Sequence, residues 1–360
     1  MAENKVTRRE FVRQSAVAAA GLAAAVSAAR AAEVDQKKIL NHNPNMEYRR
    51  CGRTGLIVSA VAMGGHWKRI EKMGRATGQG WLNADLNDKD FQKNRYDVVT
   101  RCMEVGINWI DACTVEEVKA YTLAVKGRRD KMYLGCSWYQ REMRFDGFRT
   151  EKALLETLDW GLKDAGLDYV DLWRVTMHEQ SINHAWGEVE EMMRALEKAR
   201  KQGKVRFTGF SSHHREHIKA MIEKFPKIVD AFCTPYTAKT KELPTDSLFE
   251  TVRKYDVGVF GIKPFASNSL FKGDSALDSP DAEEDDKRAR EAIRYILCNP
   301  AITAPIPGLI NTHQVDNVAA AVQERRKLDA AEARHLEQAM DEAWAKLPDD
   351  YQWLKDWEYV

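Results

Sequence analysis

Short apolar runs and amphipathic helical patterns alternate through most of this chain. Eight runs have the length and composition of buried strands, at 58–63, 108–111, 132–136, 169–175, 205–210, 228–233, 257–262 and 302–306. A helical pattern follows each run. This alternation predicts a parallel sheet, and eight strands predict a closed (β/α)8 TIM barrel. No G-x-G-x-x-G segment follows the first run, which argues against an open dinucleotide-binding sheet.

The segments outside the repeat are short. Arg53-Thr54-Gly55 separates two extended pieces and predicts an N-terminal β-hairpin. The predicted domains are a polar linker at 33–45, a barrel at 46–326, and a C-terminal helix with an aromatic tail at 327–360. The loop at 263–286 is long enough for a lid, and its acidic end is consistent with a solvated segment.

The first 32 residues have the pattern of an export signal. Arg8-Arg9 precede an alanine-rich, mildly apolar run, and Ala29-Arg30-Ala31 offers small residues for cleavage. This pattern resembles a twin-arginine signal, although a basic tail or a membrane anchor would look similar. Because the run is too short and alanine-rich to span a bilayer, we expect no stable anchor. The prediction is a protein exported to the periplasm or beyond, with the twin-arginine export machinery as a partner.

Charge and cysteine content exclude two classes of protein. Residues 1–32 carry a net +3, so the whole-chain charge of +1 leaves −2 for the rest. No basic surface remains to predict a nucleic-acid partner. The six cysteines are scattered without C-x-x-C spacing, which disfavours zinc or iron–sulfur sites and a disulfide framework.

Several predicted strand ends resemble those of the aldo-keto reductase family. The matching segments are 48–55 for the opening hairpin, 106–111 for the second strand, 168–172 for the fourth and 203–212 for the fifth. Ile306-Pro307-Gly308 with 314–317 is similar to the segment that holds the adenosine 2′-phosphate of NADP. The resemblance covers about residues 48–325. It suggests that the chain is a divergent member of this family that is exported by the twin-arginine route.

The resemblance implies carbonyl reduction by a nicotinamide hydride, assisted by an Asp, a Tyr, a Lys and a His. Asp111 matches the aspartate. The loop that usually carries the tyrosine is replaced by Cys113-Thr114, which runs directly into a helix. The lysine position is Ser137 and the histidine position is Thr176. We therefore expect a non-standard catalytic site.

The resemblance also implies NADP(H) as the cofactor. The residues that would hold it are Ser211, Ser212, Lys263, Gly308, Gln314 and Asn317. The usual glutamine on strand six is Cys233, and the usual aromatic after strand seven is Ile262. The basic residue expected near Gln314 is missing, which leaves His313.

Besides Asp111, two further residues, Arg174 and His178, are candidate catalytic residues. Strand alternation points Arg174 into the barrel near Asp111, where it must pair with a carboxylate or bind an anion. His178, just past the fourth strand, is a candidate replacement for the missing histidine, or a surface residue. Tyr121 and Tyr139 are alternative proton donors, although Tyr121 lies in mid-helix, a position typical of packing.

His213-His214-x-x-His217, with His178 or Glu179 as a further ligand, is a candidate metal site. Histidines at a helix start are more often caps or surface residues, so we predict no metal.

Two main hypotheses remain for the function. One is an exported, NADP(H)-dependent oxidoreductase that acts on a small carbonyl or sugar-like substrate. The other is a catalytically silent barrel that binds a ligand or partner, and a metal-assisted enzyme is a weaker third.

Overall fold

The computed structural model describes residues 36–67, 85–178, 180–240 and 247–355. The chain divides into two units, Met1–Ile39 and Leu40–Val360, and the elements discussed below belong to the second. The predicted export signal at 1–32 lies outside the described residues. Among the described residues, no helix has both the length and the apolar character needed to cross a membrane.

The secondary structure consists of a hairpin, a parallel sheet and the helices around it. The hairpin strands are β1 (Tyr48–Arg50) and β2 (Ile57–Ser59). The sheet strands are β3 (Met63–Gly64), β4 (Trp109–Ala112), β5 (Tyr133–Cys136), β6 (Val170–Thr176), β7 (Val205–Ser211), β8 (Ala231–Pro235), β9 (Gly258–Ile262) and β10 (Ala304–Pro305). The helices are α1 (Lys89–Glu104), α2 (Val115–Ala124), α3 (Glu151–Ala165), α4 (Trp186–Lys201), α5 (Arg215–Lys224), α6 (Leu248–Tyr255), α7 (Ala282–Leu297), α8 (Thr312–Gln323) and α9 (Ala330–Ala345), followed by a 3-10 helix at Asp349–Lys355.

The parallel sheet closes on itself. Its strands are hydrogen-bonded in chain order from β3 to β10. At the seam, the backbone N–H of Ala62 donates to Pro305 O at 3.0 Å and that of Gly64 donates to Pro307 O at 2.8 Å. Gly64 also forms a parallel bridge with Gly308. The predicted (β/α)8 barrel, with its N-terminal hairpin and extra C-terminal helix, is confirmed.

Large side chains fill the barrel interior, so that it is a packed core rather than a channel. Trp109 stacks on Phe260 with ring centroids 4.5 Å apart. Gly135 provides the room, since a Cβ there would lie 2.8 Å from the Trp109 ring. The hairpin packs at the amino end of β9, where Arg53 N donates to Asp256 O at 2.7 Å. The hairpin therefore does not cover the carboxyl ends of the strands, where barrel enzymes carry their active sites.

Two predicted boundaries differ from the structure. The apolar run at 58–63 is divided between β2 and β3, because the chain must leave the hairpin before it enters the barrel. The acidic end of the loop at 263–286 is helical rather than a solvated loop. Helix α7 begins at Ala282 with Glu283, Glu284 and Asp285 in its first turn, where the helix dipole favours negative charge.

Candidate active site

A cavity of about 640 Å³ lies at the carboxyl ends of the barrel strands. Its walls come from the carboxyl ends of all the barrel strands except β8, or from the residues directly after them. The loop before α7, the starts of α7 and α8, and the C-terminal 3-10 helix complete the walls. Barrel enzymes carry their active sites at this end. The side chains that meet here are therefore the candidates for chemistry.

Asp111 and Arg174 form a buried ion pair on the cavity floor. Arg174 Nε donates to Asp111 Oδ2 at 2.6 Å, and Nη2 donates to Oδ1. The two residues are 4% and 3% exposed. Burial opposes the charge of Arg174, but the Asp111 carboxylate outweighs it and holds the pKa of Arg174 above its ordinary value. The predicted pair between these residues is thus present.

Hydroxyl groups occupy the positions expected to hold a lysine and a histidine. Thr176 Oγ1 donates to Ser137 Oγ at 2.9 Å, and Ser137 Oγ donates to the carbonyl of Cys113 at 3.2 Å. Arg174 Nη1 lies 3.4 Å from Ser137 Oγ. These contacts extend the floor, but hydroxyls of this kind do not change charge near neutral pH. A proton-transfer group must come from elsewhere in the cavity.

His66, which the sequence pattern did not single out, lies on the cavity wall directly after β3. Its Nδ1 lies 2.8 Å from Oε1 of Glu117 on α2. Its Nε2 lies 3.8 Å from Sγ of Cys113, at the end of β4. One ring nitrogen is thus held by a carboxylate, while the other contacts the thiol of a residue that also lines the cavity.

Glu117 is held as an anion by several donors. Its Oε1 accepts from the backbone N–H of His66 as well as from the ring, and its Oε2 accepts from the N–H groups of Cys113 and Thr114 at 2.7 and 3.2 Å. Burial would raise the pKa of Glu117, but His66 and the backbone donors outweigh it and lower that pKa. Glu117 therefore orients the imidazole as a charged acceptor.

The same pair favours the protonated form of His66. Burial opposes the imidazolium charge, but Glu117 and Cys113 outweigh it and raise the pKa of His66 to about 10. The ring therefore carries two N–H groups at neutral pH. One is held by Glu117, and the other, at Nε2, lies 3.8 Å from Cys113 Sγ and carries the proton that the imidazolium can give up.

A metal ion is the competing interpretation of this cluster. Ligand atoms of His66, Cys113 and Glu117 lie within 4.8 Å of one another. A metal would need a carboxylate oxygen, yet each oxygen of Glu117 already accepts two hydrogen bonds. The arrangement therefore favours proton transfer at His66.

The structure does not bring His178 to the site, which corrects its placement at the barrel mouth. His178 is absent from the cavity lining. Its Nδ1 accepts from Gln180 N at 3.0 Å, and its backbone N–H donates to His184 Nε2 at 3.2 Å. The reason is local: the chain turns at once after β6, and the ring stabilises that turn. Glu179 lies outside the described residues.

The three histidines at the start of α5 point in different directions. His213 lines the cavity and stacks on Trp353, with ring centroids 4.2 Å apart. His214 caps the helix, accepting from His217 N, while Nδ1 of His217 lies 3.0 Å from Ser181 Oγ. They do not share a metal position.

The two tyrosines considered as proton donors differ in position. Tyr121 is buried, and its hydroxyl donates to Gly64 O at 2.7 Å, so it packs as its mid-helix position indicated. Tyr139 lines the cavity, where its hydroxyl accepts from Arg144 Nη1 at 3.0 Å. Tyr139 is therefore placed to contact a substrate.

Of the six residues expected to hold a cofactor, five line the cavity: Ser211, Lys263, Gly308, Gln314 and Asn317. Ser212 is the exception and its placement is corrected. Its hydroxyl is buried against Ser181 Oγ at 2.6 Å and accepts from His214 N at 3.1 Å. Strand alternation explains this, since adjacent residues at the end of β7 point to opposite sides.

The loop after β9 carries backbone strain beside Lys263. Lys263, Ala266, Ser267 and Asn268 all have positive φ, between 46° and 69°, a region that non-glycine residues rarely adopt. Lys263, Ser267 and Asn268 line the cavity. Strain of this kind concentrates at ligand-binding sites, and turns of successive amides suit anions.

The donor set fits a nicotinamide dinucleotide. Such a molecule needs cations and amides for its pyrophosphate and polar groups for its two ends. Lys263 and the strained turn supply the cation and the amides for the pyrophosphate. Ser211 supplies a polar group for one end of the dinucleotide, and Gln314 with Asn317 supply polar groups for the other. All of them line one continuous cavity that also contains Asp111 and His66.

A sequence signal for His66 does exist. Gly64-Gly65-His66 directly follows the first barrel strand, and residues at that position of a barrel point into the site. Its partner Glu117 is 51 residues away and is the third helical residue (N3) of the capping box at the start of α2. Only the fold shows that the two meet.

Comparison with known proteins points to one family. The protein-family model described as the aldo/keto reductase family matches residues 76–341, well over half of the chain. L-glyceraldehyde 3-phosphate reductase of Escherichia coli (strain K12) is 26% identical over 244 residues, which cover 62% of this chain and 63% of that protein. The chain thus matches less than two thirds of that relative's length. L-galactose dehydrogenase of Arabidopsis thaliana is 24% identical over 308 residues, covering 79% of this chain and 90% of that protein.

Solved structures share the fold. The holo form of aldo-keto reductase AKR11C1 from Bacillus halodurans has a TM-score of 0.59 at 20% identity, over 85% of this chain and 99% of that one. An aldo-keto reductase from Klebsiella pneumoniae, in complex with NADPH, has a TM-score of 0.59 at 17% identity, over 81% and 94%.

Proposed function

Because this chain belongs to the aldo/keto reductase family, we propose that it is a nicotinamide-dependent oxidoreductase with a rebuilt proton-transfer site. It interconverts a small carbonyl compound and the corresponding alcohol. The observation that carries this proposal is the His66–Glu117 pair on the wall of the cavity that also contains Asp111 and the cofactor-side residues. The resemblance implies NADP(H) as the cofactor.

The dinucleotide, when bound, supplies or takes up the hydride at the carbonyl carbon. His66 supplies the proton to the carbonyl oxygen from Nε2 and recovers it from solvent. Glu117 stays ionised and holds Nδ1, so the ring keeps its orientation in both charge states. In the opposite direction the neutral ring accepts the alcohol proton at Nε2.

The Asp111–Arg174 pair has a positioning role on the cavity floor. Its charges cancel within the pair, and it leaves Arg174 Nη1 directed at Ser137. Together with Thr176 and Tyr139 it presents a polar surface to the substrate. A small substrate with several hydroxyl groups, such as a sugar or a sugar-like aldehyde, suits a wall of this chemistry. The names of the two relatives, which refer to glyceraldehyde 3-phosphate and galactose, agree with this class.

The test replaces His66 and compares it with a histidine outside the cavity. We expect His66→Gln to lower kcat by roughly 100-fold or more, the usual contribution of a positioned acid, while dinucleotide binding measured by calorimetry is unchanged. His178→Gln is the matched control and should keep full activity. Equal activity of wild type and His66→Gln in a screen of aldehydes and sugars would overturn the assignment of His66.

One observation favours the alternative of a silent, ligand-binding barrel. Only Cys113 and Thr114 separate β4 from α2, so the loop that carries a tyrosine in the resemblance is missing. A barrel of this kind would bind a dinucleotide or a sugar without turnover. Saturable binding with no conversion in either direction, for wild type at several pH values, would support this alternative.

We also propose that the chain is exported by the twin-arginine route, because Arg8-Arg9 precede a weakly apolar alanine-rich run. The matching experiment is fractionation of cells that express the full chain. The protein should be found outside the cytoplasm, and the Arg8→Lys, Arg9→Lys double variant should stay inside. Export of the double variant at the normal rate would exclude this route.

A further inference from the structure

The far end of the cavity carries a carboxylate where the family resemblance predicts a phosphate site. Asp286, in the first two turns of α7, lines the cavity beside Gln314 and Asn317 of α8. Asn317 Nδ2 donates to the backbone carbonyl of Asp286 at 3.1 Å. These contacts fix the start of α7 against the segment that resembles the holder of an adenosine 2′-phosphate.

The basic residues near this segment already have acidic partners. His313, left as the basic residue beside Gln314, has its Nε2 2.6 Å from Asp286 Oδ2. Arg290 has its Nε 2.9 Å from Glu324 Oε1, and its Nη1 donates to Asn317 Oδ1 at 2.6 Å. A 2′-phosphate placed here would meet the Asp286 carboxylate, with His313 and Arg290 already engaged.

Two more carboxylates of the same helix line the cavity. Glu283 and Asp285 precede Asp286 in the first turn of α7. Asp285 accepts from the N–H groups of Lys272 and Gly273 at 2.7 and 2.9 Å, which ties the preceding loop to the helix. The local charge therefore disfavours a dianionic group at this end of the cavity.

A carboxylate has the opposite effect on a ribose hydroxyl. It is an acceptor without a donor, so it takes the 2′-OH as a hydrogen-bond donor, whereas a 2′-phosphate is repelled. On the basis of the proposed function, we infer that Asp286 selects NAD(H) over NADP(H). The NADP(H) expected from the resemblance is thereby replaced by the non-phosphorylated dinucleotide for this chain.

The test is direct binding, measured by calorimetry and thermal shift without substrate. NADH should bind at least about 10-fold more tightly than NADPH, because discrimination here rests on repulsion of one phosphate. ADP-ribose and its 2′-phosphorylated form should show the same ranking, which locates the effect at the adenosine end. A thermal shift that is equal or larger with NADPH would overturn the inference.

Variants of Asp286 sharpen the experiment. Asp286→Asn removes the charge with little change in volume and should reduce the NADH preference by roughly 5-fold or more, chiefly by tighter NADPH binding. Glu337→Gln, on the exposed face of α9, changes the net charge equally and should leave the ratio unchanged. An unchanged ratio in Asp286→Asn would contradict the inference, while wild type that binds neither dinucleotide would overturn the proposed function itself.

Discussion

Arg174 binds both carboxylate oxygens of Asp111 through one edge of its guanidinium, across 63 residues of sequence. The register of the sheet explains how. Asp111 pairs with Gly135, and Gly135 pairs with Leu172, so Arg174 lies one inward-facing layer above on β6. The glycine at 135 leaves room for the Asp111 carboxylate, since a Cβ there would lie 3.2 Å from Asp111 Oδ2.

Arg174→Met should destabilise the protein by about 3–5 kcal/mol, because Asp111 would remain as a buried charge without its partner. Urea unfolding followed by circular dichroism measures this. Arg101→Met is the control, since Arg101 pairs with Glu104 and Asp316 on the surface and should cost less than about 1 kcal/mol. A similarly small loss for Arg174→Met would show that the floor does not depend on the pair.

Gly65→Ala should damage the His66–Glu117 pair. A Cβ at Gly65 would overlap the Glu117 carboxylate, and that carboxylate could move away only by giving up hydrogen bonds to His66, Cys113 and Thr114. We expect a loss of about 1–3 kcal/mol of stability together with loss of turnover. Gly147→Ala is the control, because a Cβ there meets nothing within 4 Å. Full activity in Gly65→Ala would mean that Glu117 is not needed in its present position.

The contribution of His66 to stability should depend on pH in a definite direction. Its pKa is raised in the folded state from 6.5 to about 10, so the stabilisation is fully present below pH 6.5 and is lost as pH rises through 10. Glu117, whose pKa is lowered from 4.5, contributes above pH 4.5 and loses its contribution as the pH falls.

The measurement is the difference in unfolding free energy between wild type and His66→Gln across this range. The difference should be largest near pH 5–6 and should shrink by pH 10. A His66 difference that stays constant with pH would show that the ring is not charged in the folded protein.

Glu142 is a buried carboxylate behind the site. Its Oε1 accepts from Trp138 N and Trp173 Nε1, and its Oε2 accepts from Thr176 N at 2.7 Å. Burial raises the pKa of Glu142 to about 6, although these hydrogen bonds oppose the rise. The folded state therefore binds the Glu142 proton more tightly than the unfolded state does, so its contribution to stability increases as the pH falls from 6 to 4.5.

Glu142→Gln should cost about 1–3 kcal/mol near pH 7, because the new amide group must face a backbone donor such as Thr176 N–H. The exposed Glu156→Gln is the matched control and should be neutral within about 0.5 kcal/mol. The measurement is the thermal unfolding midpoint of wild type, Glu142→Gln and Glu156→Gln. Equal midpoints for all three proteins would show that the hydrogen bonds of Glu142 do not stabilise the carboxyl end of β6.

The barrel, the hairpin and the contact between Asp111 and Arg174 could all be predicted from the amino-acid sequence. These features rest on local periodicity: a buried strand has a recognisable composition, side chains alternate along it, and successive β-α units pack in one hand. Local rules of this kind are carried by adjacent residues, so they can be detected without knowledge of the fold.

Which polar groups share the cavity depends on the packing of loops and helices around the barrel. His66, directly after β3, contacts Glu117 at the start of α2, and Asp286 contacts His313 because α7 packs beside α8. His178 and Ser212 are turned away by the direction of two strand ends. Contacts of this kind depend on how loops and helices lie across the barrel, which no local pattern encodes, since the free energy that places them comes from packing over the whole domain.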